Sequence, residues 1–474
     1  MDSDNYDSQS GNDVEKYSAP SAWPPTDRDP FEVSFDGIDD PFCPHSMSLF
    51  RKWVIVIILC NVTICVTCTS SAYTSTYTQM NAEFGTSSLV STLGLSTFLL
   101  GIAFGPPMIS PLTVAKNIQT ILVTRFFSGA FGGTFLSVSG GTVGDIFLPH
   151  QIQHPMSLVS LVPFMGPCVG PIVGGFINYN INWRWTYYIM IIWSSMLMAI
   201  IVFFTPETFH PIRLYMKAKH LRRQTGDGRY RAPMEKKSGD VQPSKLSIIA
   251  ASMLRPLQFN FLEPMCLSLN VYSAILLAIL YLFFLAFPRL FRTEYGMNLW
   301  QGGLTFLGII VGMCLAAASS PVWSNIRTRL VEKHGASEPE FRLPPAMLGG
   351  FLIPIGLFWF GWTISPDIHW IIPIIGSGVF GCGTVLAFTG IYTFLIDAYA
   401  KYSASALASN GLTRCLFSAA FPLFGVQMYD KLGHQWATSL LAFLTVVMMP
   451  FPWLFFKYGK ALRGKSKFAL HDKM

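Results

Sequence analysis

The chain has 474 residues, 51% of them hydrophobic and only 12% charged, about half the charged fraction of an ordinary soluble domain. Its net charge of +7 comes with no basic helix or aromatic-studded RNA motif. The bases gather between and after apolar runs, which excludes nucleic acid as the partner and follows the positive-inside rule. All nine cysteines but Cys43 fall inside apolar runs, where they read as packing residues and not as a disulfide framework.

Residues 1–52 predict a disordered cytoplasmic tail with no secretory signal: eleven of the 26 acidic residues lie in the first 40 positions, among Ser and Pro. Arg51 and Lys52 form a basic flank directly before Trp53. A helix needs about 20 apolar residues to cross about 30 Å of hydrocarbon, and eleven runs qualify. They are 53–76, 88–108, 119–141, 156–177, 184–204, 265–287, 301–322, 345–364, 370–397, 404–428 and 435–456. This predicts an all-α polytopic protein with an N-terminal helical half (53–208), a central loop (209–262), a six-span C-terminal half (263–457) and a basic tail (458–474). The central loop holds eleven Lys or Arg against Asp227, Glu235 and Asp240, so it is expected on the cytoplasmic side.

Six spans between two cytoplasmic segments are self-consistent, whereas five spans leading from a cytoplasmic tail are not. Either the N-terminus is external or the first half lacks a span. Comparing the halves as repeats favours the second: the run ending near Pro321 is followed by a basic loop and two spans, while Pro111 is followed by a few residues and then the run leading to Asp145. A third span is expected to be missing near 112–116.

An ionisable group at membrane depth costs about 2.5 to 3.5 kcal/mol on insertion scales, which singles out Arg125 and Arg414. Arg125 is open to two readings, function or snorkelling to the interface. Arg414 lies mid-span, and Asn410, one turn earlier, shares its face. No Asp or Glu lies deep inside any run. Asp145 and Asp397 end corresponding runs and, with Glu207, are candidates for a cytoplasmic gate or for plain solvated helix ends. Asn61, Thr63, Asn270 and Tyr272 are candidate cavity-lining residues. Gly166, Pro167, Gly170, Pro171, Gly174 and Gly175 would let a neighbouring backbone approach closely and would bend their helix, either as a rocking element or as a simple packing face. No phosphate-cradling loop points to an ATP-driven pump, and no His or carboxylate cluster points to a metal or to an enzyme. No cofactor is expected.

The glycine and proline segment resembles the antiporter signature of the major facilitator superfamily, although Ser157 stands where its longer form has Gly. With Arg125 and Gly129, Gly140 to Asp145, Trp183 to Trp185, Pro206 to Thr208, Tyr392 to Asp397 and Ser409 to Arg414, the chain is similar to the fungal twelve-span drug:proton antiporters, a family of polyamine and multidrug exporters. The resemblance covers about residues 50 to 457. It implies a major-facilitator fold of two helical halves, with 6 + 6 spans expected and 5 + 6 visible, around a midplane cavity. It further implies alternating access and proton-coupled efflux of a drug, polyamine or secondary metabolite. The protein would be a monomer in the lipid bilayer of the plasma membrane with both termini cytoplasmic, and Arg125 would match the fourth-span arginine linked to coupling. The family's Gly-x-x-x-Asp-Arg-x-Gly-Arg motif between the second and third spans is absent. This keeps open the alternative of a truncated or mis-spliced, non-transporting remnant.

Overall fold

The computed structural model describes residues 31–37, 40–104, 118–148, 151–236, 245–335, 338–464, 466 and 468. They fall into two compact units, one made of the tail up to Ser46 with the segment beginning at Glu207, the other of the remaining chain.

The larger unit starts with α1 (Leu49–Ala72), α2 (Tyr77–Phe84), α3 (Ser88–Phe104), α4 (Ile118–Ile146), α5 (Gln153–Asn180) and α6 (Arg184–Phe204). In the smaller unit are α7 (His210–Thr225) and α8 (Pro233–Lys236). The larger unit resumes with α9 (Lys245–Leu262), α10 (Pro264–Tyr295), α11 (Leu299–Leu304), α12 (Leu307–Ala318), α13 (Ser320–His334), α14 (Pro344–Thr363), α15 (Ile371–Ala398), α16 (Ser403–Met448) and α17 (Pro450–Arg463). Among the described residues, eight helices or helix groups are long and apolar enough to cross a bilayer. The longest group, Ser403–Arg463, has 61 residues, about 90 Å at 1.5 Å per residue. It crosses twice, because Gly433 (φ 74°, ψ 162°) breaks α16 in a backbone conformation open to glycine. With α3 and α4, these segments account for the eleven apolar runs. The protein is a multi-pass membrane protein.

Helix direction follows from the closest backbone approaches. A Cβ on Gly129 would lie 1.9 Å from the Phe98 carbonyl oxygen, and one on Gly133 would lie 3.0 Å from that of Ile102. Both chains advance four residues in the same sense, so α3 and α4 run parallel. In the second half α12 and α15 are parallel for the same reason, Gly308 meeting Ile374 and Gly312 meeting Gly378. There α14 crosses back between them in sequence, antiparallel to α15, with Gly349 on Gly383 and Gly356 on Phe380. Between α3 and α4 the expected defect near 112–116 lies outside the described residues.

The smaller unit departs from the expectation of a disordered tail through residue 52. Residues 31–37 and 40–46 dock on α7: Lys217 Nζ donates to Asp40 (2.5 Å), Asp36 (2.6 Å) and the Ser34 carbonyl (2.8 Å). Arg213 donates to the carbonyls of Pro41 and Phe42, both at 2.9 Å, and Val33 is buried with Ala218 and Ala232. The acidic composition that argued for disorder is matched by the bases of α7, and α1 begins at Leu49, four residues before its apolar run.

Candidate functional site

Helix α5 carries the glycine and proline motif. Gly166, Gly170 and Gly174 recur every four residues and so share one face, which lies on α1. Cβ atoms there would sit 1.8 Å from Thr67 Oγ1, 2.0 Å from Ser71 Oγ and 2.8 Å from the Ala72 carbonyl. The motif's other edge meets the second half. A Cβ on Gly175 would come 2.9 Å from the Leu299 carbonyl, and one on Gly303 would come 2.5 Å from that of Pro171. Pro163, Pro167 and Pro171 lie inside the helix, each removing one backbone hydrogen bond. The motif therefore packs α5 at once on its own half and on the opposite one.

Arg125, only 3% exposed, points into the bundle and does not snorkel. Its Nε donates to the Gly94 carbonyl (2.7 Å) and its Nη2 to those of Ser70 (3.0 Å) and Thr69 (3.3 Å). The guanidinium lies 3.9 Å from the Tyr73 ring centre and 4.9 Å from that of Phe98. Arg414 donates to the Tyr392 hydroxyl and lies 5.6 to 5.8 Å from the ring centres of Phe164, Tyr392 and Phe388. Phe164 belongs to α5, so Arg414 sits where the halves meet.

Asn410 does not join Arg414. Its Nδ2 donates to Asn270 Oδ1 (3.0 Å) and Ser273 Oγ (2.6 Å), while Asn270 donates to Asn260 Oδ1 and Ser409 Oγ, both at 2.9 Å. Asn270 and Asn410 are fully buried. They tie α9, α10 and α16 together and face no open cavity in this structure. Tyr272 is buried too, its hydroxyl toward Gly350 of α14. On α1, Asn61 and Thr63 donate to their own helix at Ile57 (3.0 Å) and Leu59 (2.9 Å). The four expected lining residues are thus not brought to one surface.

At the polar end of the second half, Asp397 accepts from Arg342 (2.7 Å) and lies 3.8 Å from Arg327. Asp145 ends α4, as its position after the apolar run suggests. Glu207 accepts from the backbone N–H groups of Thr208 (3.1 Å) and Phe209 (3.0 Å), stabilising the turn into α7. Two buried carboxylates escaped the sequence reading because they stand at run edges. Glu263, at the start of α10, accepts from Tyr399 (3.1 Å) and Ser466 (2.6 Å). Glu340 pairs with Arg463 at 2.8 Å, both side chains 4% exposed. A carboxylate next to Pro264 and one before Arg342 were the available signals.

The sequence matches the Major Facilitator Superfamily over residues 112–422. It is 46% identical to the efflux pump atB of Aspergillus terreus, across 94% of this chain and 91% of that protein. It is 38% identical to the probable drug/proton antiporter YHK8 of Saccharomyces cerevisiae, across 93% and 90%. Among solved structures, the inward open conformation of the xylose transporter XylE from E. coli superposes with a TM-score of 0.58 at 11% identity, covering 85% of this chain and 96% of that one. Fold, motif and relatives agree: the chain belongs to the major facilitator superfamily.

Proposed function

We propose that this protein exports a small organic compound by alternating access, driven by the proton gradient. The observation that carries this reading is the seating of α5, whose glycine face lies on α1 while Gly175 and Pro171 touch α11 of the other half. A helix packed this closely on both sides transmits motion of one half to the other. The efflux pump and drug/proton antiporter among the relatives support the same reading. They also speak against a non-transporting remnant, since the chain covers nine tenths of each.

In this scheme Arg125 serves coupling, and Arg414 with Asn410 serves transport. Gly166, Pro167, Gly170, Pro171, Gly174 and Gly175 form the rocking interface, and Asp145, Asp397 and Glu207 hold the cytoplasmic gate. The halves 53–208 and 263–457 flank a cytoplasmic linker, 209–262. Both termini are cytoplasmic, and the protein acts as a monomer in the plasma membrane. Vesicle uptake of a fluorescent drug, with and without an imposed pH gradient, tests the mechanism. Accumulation should require the gradient and collapse with a protonophore, and uptake indifferent to both would sink the antiport reading.

A further inference from the structure

Arg125 of the first half and Arg414 of the second lie well inside their spans, and among the described residues neither meets a carboxylate. Arg125 is met by the carbonyls of Thr69, Ser70 and Gly94 and by the faces of Tyr73 and Phe98. Arg414 is met by the Tyr392 hydroxyl and by aromatic faces, and its Nε has no hydrogen-bond partner. Among the described residues the buried carboxylates are Asp40, Glu263 and Glu340. Asp40 belongs to the smaller unit. Glu263 is held by Tyr399 and Ser466 at the first turn of α10, and Glu340 is paired with Arg463.

Carbonyl dipoles and ring faces offset part of the cost of burying a guanidinium, but they leave its full positive charge in place. In a low-dielectric interior that charge attracts an anion and repels a cation much more strongly than it would in water. Donors are also left over: besides Arg414 Nε, the buried Tyr73 hydroxyl beside Arg125 makes no hydrogen bond. Ser70, whose carbonyl holds Arg125, shares a hydrogen bond with Tyr281 of the second half (3.0 Å). Around Arg414 the walls are Phe164, Phe388 and Tyr392.

We infer that the cargo is an organic anion, a flat apolar body bearing a carboxylate or an acidic phenol. This rests on the transporter reading and narrows its substrate class. The aromatic walls take the body, and the spare guanidinium and phenol donors take the acid group. Polyamines and other cationic drugs are disfavoured, because among the described residues no carboxylate faces either arginine.

The test is equilibrium binding to the purified full-length protein in detergent at neutral pH, with three matched probes: 1-naphthoate, 1-naphthylmethanol and 1-naphthylmethylamine. Naphthoate should bind about tenfold or more tighter than the alcohol, the ratio of one charge-assisted hydrogen bond to a neutral one, and the amine should bind weakest. Arg125→Gln and Arg414→Gln should each bring naphthoate down toward the alcohol, while Arg414→Lys should keep part of the preference. Equal or tighter binding of the amine, or no binding of any probe, overturns the inference. So does an unchanged preference in both Gln variants. The wild-type comparison stands even if a variant fails to fold. Binding needs no gradient, so uptake indifferent to the proton gradient would sink the antiport mechanism alone, and a preference for the amine would sink the anion assignment alone.

Discussion

The hydroxyls of Ser70 and Tyr281 lie 3.0 Å apart and join α1 of the first half to α10 of the second. Both residues are buried, at 0% and 3% exposure. A hydrogen bond made across the halves in one access state must break when they rock apart. Tyr281→Phe keeps the ring and deletes the bond, removing about 1 kcal/mol from the arrangement seen here. The balance of access states should move about fivefold toward the other state, measurable as a changed reaction rate of single cysteines placed at either end of the bundle. Unchanged labelling at both ends would show that this bond does not bias the states.

Gly170 gives the sharpest steric test of the α1 and α5 contact. A Cβ there would lie 2.0 Å from Ser71 Oγ and 2.7 Å from the Ala72 amide nitrogen; the hydroxyl can rotate away but the backbone nitrogen cannot. Gly170→Ala should destabilise the protein by about 1 to 3 kcal/mol, read as a lower unfolding temperature in detergent. Gly411, on α16, has nothing within 4 Å of its Cβ position, and Gly411→Ala should leave that temperature unchanged or raise it slightly.

What was legible in the sequence followed from composition. Each apolar run is helical over most of its described residues, because a long uncharged stretch has few other ways to satisfy its backbone in lipid. The α5 motif was legible too, since glycines four apart define a helix face whatever surrounds it. The partners of polar groups were not. Asn260 lies in the linker, yet it accepts from Asn270 and from Thr413 at 3.1 Å, so an expected cavity face became a closed network. Arg125 could be placed in a span, but whether its long side chain ran outward or inward depended on the carbonyls of Thr69, Ser70 and Gly94 that receive it. The docked tail was hidden because low hydrophobicity reads as disorder until Lys217 is seen between Asp36 and Asp40.

Glu340 and Arg463 should behave as a unit. Each side chain is 4% exposed and the pair meets at 2.8 Å, so removing one member leaves an uncompensated buried charge, costing about 3 to 5 kcal/mol. Glu340→Gln or Arg463→Met alone should sharply lower the yield of monodisperse protein. The pair Glu340→Leu with Arg463→Met should recover most of it, because an apolar replacement of similar volume is often neutral. Single variants that behave like the wild type would mean that water reaches the pair.

The Asp40 and Lys217 clasp sets a pH limit on the docked tail. Burial alone would raise the Asp40 carboxyl, but hydrogen bonds from Lys217 and from the backbone N–H groups of Phe42 and Asp36 outweigh it and hold it below the usual carboxylate range. Burial alone would lower Lys217, and its bonds to Asp36 and Asp40 outweigh that and carry it above its usual value. A depressed carboxyl contributes stability that is complete above its unfolded pKa and is lost as pH falls through the folded one. A raised ammonium contributes below its unfolded pKa and is lost as pH rises through the folded one. The clasp should therefore hold across the neutral range and open below about pH 4. The Phe42 amide, 2.8 Å from Asp40 Oδ1, reports on it through hydrogen exchange. After correction for intrinsic rates, its protection should fall severalfold between pH 6 and pH 3, since one carboxyl with an unfolded pKa of about 3.9 can lose at most about ninefold there. In Asp40→Asn that protection should be weak at both pH values, and a wild-type protection indifferent to acid would rule the clasp out.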